Sequence, residues 1–88
     1  MTTRAEAIAA LEDEGLTVTE WHDEPGTHYP EHAHSRNEVL FVLDGSITIV
    51  AGERTRTLGP GDRTGLPAGE KHTATVGPDG VHYLLGKL

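Results

Sequence analysis

The sequence has no cysteine, which excludes disulfides and thiolate metal sites and leaves any metal to His, Asp or Glu. It is short of cations: seven Lys and Arg face fourteen Asp and Glu, a net charge of −7 with neutral histidines. No like-charge block forms a tail, and this balance argues against nucleic acid as a partner. No apolar run approaches the ~20 residues needed to span a bilayer, and the N-terminus lacks a basic segment followed by an apolar one. The expectation is therefore a cytoplasmic protein without membrane association. Internal repeats, low-complexity segments and linkers are also missing. A chain of 88 residues is one domain that buries only about 60% of its unfolded surface, so its stability calls for a compact barrel, a bound metal or a second subunit.

Thr3-Arg4-Ala5-Glu6 has the form of a capping box, and Ala5, Ile8, Ala9 and Leu11 follow at helical spacing up to Gly15. The pattern predicts a helix from about Arg4 to Glu14, a lid or partner-binding segment or else a cap over one end of a barrel. Its weak point is Glu12-Asp13-Glu14 in the last turn, where the helix dipole favours cations. Residues 1–15 are thus expected as a helix packed on a β-barrel domain of residues 16–88.

From Leu16 onward the helical period is gone, and short β-branched runs alternate with turn signals, among them Glu24-Pro25-Gly26, Asp44-Gly45, Ala51-Gly52-Glu53, Gly59-Pro60-Gly61-Asp62, Pro67-Ala68-Gly69 and Gly77-Pro78-Asp79-Gly80. That pattern indicates an all-β sandwich or barrel. Val39 to Leu43 is apolar at both parities, so each face of that strand needs cover. A homodimer with Phe41 and Leu43 in its interface would supply it; the chain's own N-terminal helix is the alternative.

The residues with chemistry are His32, His34, Glu38 and His72. Three imidazoles and a carboxylate suit a divalent transition metal. His32 and His34 share strand parity with α-carbons ~6.6 Å apart, whereas Glu38 on an unbroken strand would lie ~13 Å beyond His34. The chain must therefore turn at Ser35-Arg36-Asn37, and a hairpin is expected to bring Glu38 back alongside the imidazoles. His72 follows the turn Pro67-Ala68-Gly69 and opens the strand Thr73 to Val76.

Nine positions, Gly26, His32, His34, Glu38 and Gly45, then Gly61, Pro67, Gly69 and His72, resemble the two sequence motifs of the cupin superfamily, with the short intermotif gap of small single-domain members. The resemblance covers more than half the chain and implies an all-β fold, a small jelly-roll β-barrel with a short N-terminal helix. It further implies His32, His34, Glu38 and His72 as ligands of one divalent ion (Fe, Mn, Ni, Zn, Co or Cu) in the barrel mouth. The family's second motif usually closes with Asn where this chain has Val76, which puts a structural hydrogen bond in doubt and leaves the ligands intact.

Four protein ligands leave one or two open positions on a five- or six-coordinate ion, and with one carboxylate the ion and its ligands carry about +1, favouring anionic oxygen ligands. Leu40, Val42, Ala74 and Val76 share the ligands' parity and predict a largely apolar cavity for a small-molecule substrate. The leading expectation is a metal-dependent enzyme with dioxygenase-type chemistry. The alternatives are a redox-neutral isomerase or decarboxylase and a non-catalytic metal- or ligand-binding sensor. Candidate catalytic groups are His28, at the rim or exposed, and His82 and Tyr83, which lie on opposite faces of the last strand. His22 and Trp21 pose the same either-or, with packing favoured for Trp21. Arg36 and Arg63 could attract an anion or simply be solvated.

Overall fold

A computed structural model describes residues 2–88. Helix α1 spans Arg4–Asp13. The capping box forms: the Glu6 amide donates to Thr3 Oγ1 at 3.1 Å and the Thr3 amide to Glu6 Oε1 at 3.1 Å, satisfying two amides that the first turn leaves free. At the other end Gly15, at φ +83°, reverses the chain and donates to Glu12 O. The acidic last turn is answered from outside, because Arg63 grips both Glu14 oxygens at 2.7 Å. Arg63 is therefore a helix anchor, and Arg36 likewise is occupied with the Leu88 carbonyl at 3.1 Å.

Six antiparallel strands follow: β1 Thr17–Asp23, β2 His28–His32, β3 Glu38–Ala51, β4 Arg54–Leu58, β5 Arg63–Leu66 and β6 His72–Lys87. The long strands β3 and β6 pair along their whole lengths. The first part of β3 lies between β5 and the last part of β6, which carries β1 at its edge; the second part of β3 lies between β4 and the first part of β6, which carries β2. Two four-stranded faces thus share β3 and β6, the jelly-roll arrangement expected from the sequence.

Two of the expected turns are bends inside these shared strands. Asp44-Gly45 and Gly77 to Gly80 leave β3 and β6 unbroken, and the register slips between Val42 and Asp44 and between Gly45 and Ile47. Strands that pass from one sheet to the other do so through bulges and glycine kinks. Gly45 has φ +76°, and a Cβ there would fall on the Gly80 carbonyl oxygen.

Leu40, Val42, Ile47, Ile49, Leu58, Leu66, Ala74, Val76, Val81 and Tyr83 form the interior core. A second cluster lies outside the sheet, where Ala7 and Leu11, one helical turn apart, pack with Leu16, Phe41 and Leu84. The chain's own helix, the alternative to a homodimer interface, is what covers Phe41. Phe41 is 8% exposed beneath α1, with Val39 and Leu43 packed around it. Among the described residues no helix is long and apolar enough to cross a membrane.

Candidate metal centre

The expected hairpin between the His32 strand and the Glu38 strand does not form. β2 pairs with β6, placing His32 directly opposite His72, and Glu38 lies between Leu66 of β5 and Lys87 of β6. The turn at Ser35-Arg36-Asn37 exists, but it carries the chain across the barrel mouth from one sheet to the other. Two hydrogen bonds from backbone amides pin this crossing to the turn before β6: the Gly69 amide donates to His34 O at 2.9 Å and the Ala68 amide to the Asn37 side-chain Oδ1 at 2.8 Å. They hold His34 over the His32–His72 pair.

The three imidazoles converge. Ring centroids are 4.4 Å apart for His32 and His72, 5.0 Å for His32 and His34, and 5.1 Å for His34 and His72. One nitrogen from each lies within 4.8 Å of the others, a triad able to bind a metal ion. Nδ1–H of His32 donates to Pro30 O at 2.8 Å and Nδ1–H of His72 to Glu70 O at 3.2 Å. A carbonyl only accepts, so these bonds fix the tautomer and leave both Nε2 lone pairs free for a cation. Burial, with the neighbouring His72 and His32, depresses the His34 pKa against the opposing pull of Glu38; the neutral form is the ligating one.

Glu38 is 6% exposed and stands outside the mutual 4.8 Å set. Its Oε2 is 3.0 Å from His34 Nδ1, while Oε1 is buried without a hydrogen-bond partner among the described residues. A buried carboxylate oxygen in that position is costly unless it meets a cation. The orphaned oxygen and the free imidazole lone pairs fit a divalent transition ion.

The triad opens on a cavity of about 210 Å³ whose wall includes Trp21, Tyr29, Leu40, Ile47, Ile49, Leu66, Ala74, Tyr83 and Leu85. The expected apolar lining is present in Leu40 and Ala74, whereas Val42 and Val76 lie deeper in the core. Tyr83 is the inward member of its pair; His82 is outside, stacked on His22 at 3.9 Å with Nε2 2.5 Å from Glu20 Oε2. Of the two positions open to His28, rim or exposed, the structure shows the exposed one. It lies on the outer face, bonded through Nδ1 to Thr75 Oγ1 at 2.9 Å. Its parity with His32 is broken by a register shift between Tyr29 and His32, which turns Tyr29 inward instead. Trp21 stands at the cavity, 46% exposed, with its indole N–H on Thr19 Oγ1.

Tyr83, a candidate from the sequence, belongs to a polar group whose other two members, Asp23 and Tyr29, were not expected from the sequence. The Tyr29 and Tyr83 hydroxyls both donate to Asp23 Oδ2, at 2.7 and 3.2 Å. Burial first, then the Asp23 carboxylate, raises both phenol pKa values above the ordinary range. The group needs β1, β2 and β6 in register; the alternation of Trp21 and Asp23 along β1 is its only local trace.

The structure is a small antiparallel jelly-roll barrel with three imidazoles at its mouth that could hold a metal ion. The match of the cupin domain model to residues 19–84 makes the assignment specific: the chain belongs to the cupin family. A curated relative, dimethylsulfoniopropionate lyase DddQ of Ruegeria pomeroyi, is 40% identical over 48 residues, 53% of this chain and 24% of that protein, so the chain spans about a quarter of its length. The crystal structure of that lyase superposes with TM-score 0.75 at 29% identity, over 82% of this chain and 37% of the other. The polyketide cyclase RemF of Streptomyces resistomycificus gives TM-score 0.69 at 30% identity, over 82% and 54%. A Rhizobium leguminosarum protein of unknown function, at 24% identity and TM-score 0.77 over 82% and 68%, shares the fold.

Proposed function

We propose that this cupin is a metal-dependent enzyme catalysing redox-neutral proton transfer on a small, partly apolar molecule. His32, His34 and His72 would hold the ion, with Glu38, whose Oε1 has no hydrogen-bond partner among the described residues, as the fourth ligand. A divalent ion there would polarise an oxygen of the bound molecule. The observation that carries the reading is that Tyr29 and Tyr83, whose hydroxyls both donate to Asp23, line the same cavity as the imidazole triad.

The apolar wall excludes water and orients the carbon skeleton. The cavity exceeds the ~150 Å³ void that holds benzene and suits a molecule of comparable size. A proton leaving that molecule is accepted at a phenol Oη while the phenol's own proton passes to Asp23 Oδ2. One O–H bond forms as the other breaks, so the raised phenol pKa is no obstacle, because no phenolate is produced. Lyase and cyclase chemistries, the kinds named in two relatives, both use such transfers.

The second reading is dioxygenase chemistry, favoured by the open coordination positions that four protein ligands leave. The test is turnover by the metal-loaded protein on dimethylsulfoniopropionate, 1,3-diketones, flavonols and thiols, followed by NMR with and without oxygen. Oxygen-independent product formation that fails in Asp23→Asn, with metal content unchanged, is expected. Turnover that consumes oxygen in proportion to product supports the dioxygenase instead, and tight metal binding without any turnover supports a binding module.

A further inference from the structure

On the outer face of the β1–β6 pair a second set of donors converges, away from the cavity. Glu20 and His22 share parity on β1, opposite in sense to Trp21, and His22 is the direct cross-strand partner of His82. One donor atom from each of Glu20, His22 and His82 lies within 4.8 Å of the other two. We propose that Glu20, His22 and His82 form a second metal site, for a borderline divalent ion such as zinc, copper or nickel.

Imidazole pairs with one carboxylate select those ions over calcium or magnesium, which prefer all-oxygen shells. A tetrahedral ion with ligands at ~2.0–2.1 Å needs donors about 3.4 Å apart. The present His82 Nε2–Glu20 Oε2 separation of 2.5 Å must open and the His22 ring must rotate out of its 15° stack on His82. All three side chains are exposed or half-buried, so rotamer changes suffice and the strands need not move. The field is favourable on one side: a cleft beside His22 and His82 is lined by Asp23, Glu24, Asp44 and Asp79. It is opposed on the other by Arg4, whose guanidinium contacts Glu20 at 2.6 to 3.0 Å. An ion bound there would clamp the edge strand β1 to β6 in competition with the α1 contact.

Histidine-resolved NMR during zinc titration, paired with equilibrium dialysis, tests the site without reference to turnover or to the ligands at the barrel mouth. The expected result is a zinc-dependent shift of the His22 and His82 ring signals, one equivalent of zinc lost in His22→Asn/His82→Asn, and affinity raised severalfold in Arg4→Ala. Retention of these shifts in His32→Ala separates this site from the mouth. Unmoved His22 and His82 signals at 100-fold excess zinc, or full stoichiometry in the double variant, would overturn the proposal; the first readout uses unmodified protein and stands even if a variant fails to fold.

Discussion

Raising the pH tests the state of the cavity's phenols directly, because Tyr29 and Tyr83 are the chain's two tyrosines and tyrosinate absorbance near 295 nm reports on nothing else. Both phenols are pushed above the ordinary range by burial and by Asp23. The folded state therefore keeps two protons that the unfolded chain releases near pH 10. A group whose folded pKa is raised stabilises fully below the unfolded value and loses that contribution as pH rises through the folded one. Above pH 10 stability thus falls by up to about 1.4 kcal/mol per pH unit for each phenol, or about 2.7 kcal/mol for both. Against a typical total of 5–15 kcal/mol, this loss reaches the lower end of that range near pH 12 at the earliest, so the native protein should show little absorbance change to about pH 12 and then one steep step coincident with loss of the circular dichroism signal. Asp23→Asn removes the charge and should move the step toward pH 10. A tyrosine ionising near pH 10 with dichroism unchanged would refute the enclosed, Asp23-tied phenol pair and the proton path built on it.

Phe41→Ala should cost about 3–5 kcal/mol, since Phe41 is 8% exposed between α1 and the sheet; denaturant midpoints check this, and a loss below 1 kcal/mol would mean that α1 is not docked. Gly45→Ala combines φ +76° with a Cβ falling on the Gly80 carbonyl, so it should destabilise by more than the ~1 kcal/mol typical of point changes, measured by thermal melting. Acidification below about pH 6 should release metal from the mouth, because imidazole must be neutral to ligate; metal dialysis at stepped pH reads the loss, and pH-independent affinity would count against histidine ligation.

The donor set was legible because its spacing survives in one dimension: His32, His34, Glu38 and His72 sit at intervals that turns and parity make interpretable. Their mode of assembly was not. Whether β2 pairs with β3 or β6 is a choice among distant strands with similar alternation, and it went to β6. Parity alone leaves His28 between rim and exposed surface, and the bulge between Tyr29 and His32, which inverts the alternation, decides for the surface. Glycine and proline at Asp44-Gly45 and Gly77 to Gly80 signalled a change of direction correctly but could not tell a turn from a kink in a continuous strand. The double-sided apolarity of Val39 to Leu43 announced a cover without identifying it, and α1 supplies that cover. Asp23, Tyr29 and Tyr83 come from three strands and meet only after folding.

The most direct test of the central claim is the metal content of untagged protein, beside Glu38→Gln and His34→Ala, by elemental analysis after dialysis. The account predicts at least one tightly held divalent transition ion per chain in the parent protein and its loss in His34→Ala, with a lower melting temperature. In Glu38→Gln the affinity should be weakened. Metal stoichiometry and affinity that are unchanged across all three proteins would contradict it.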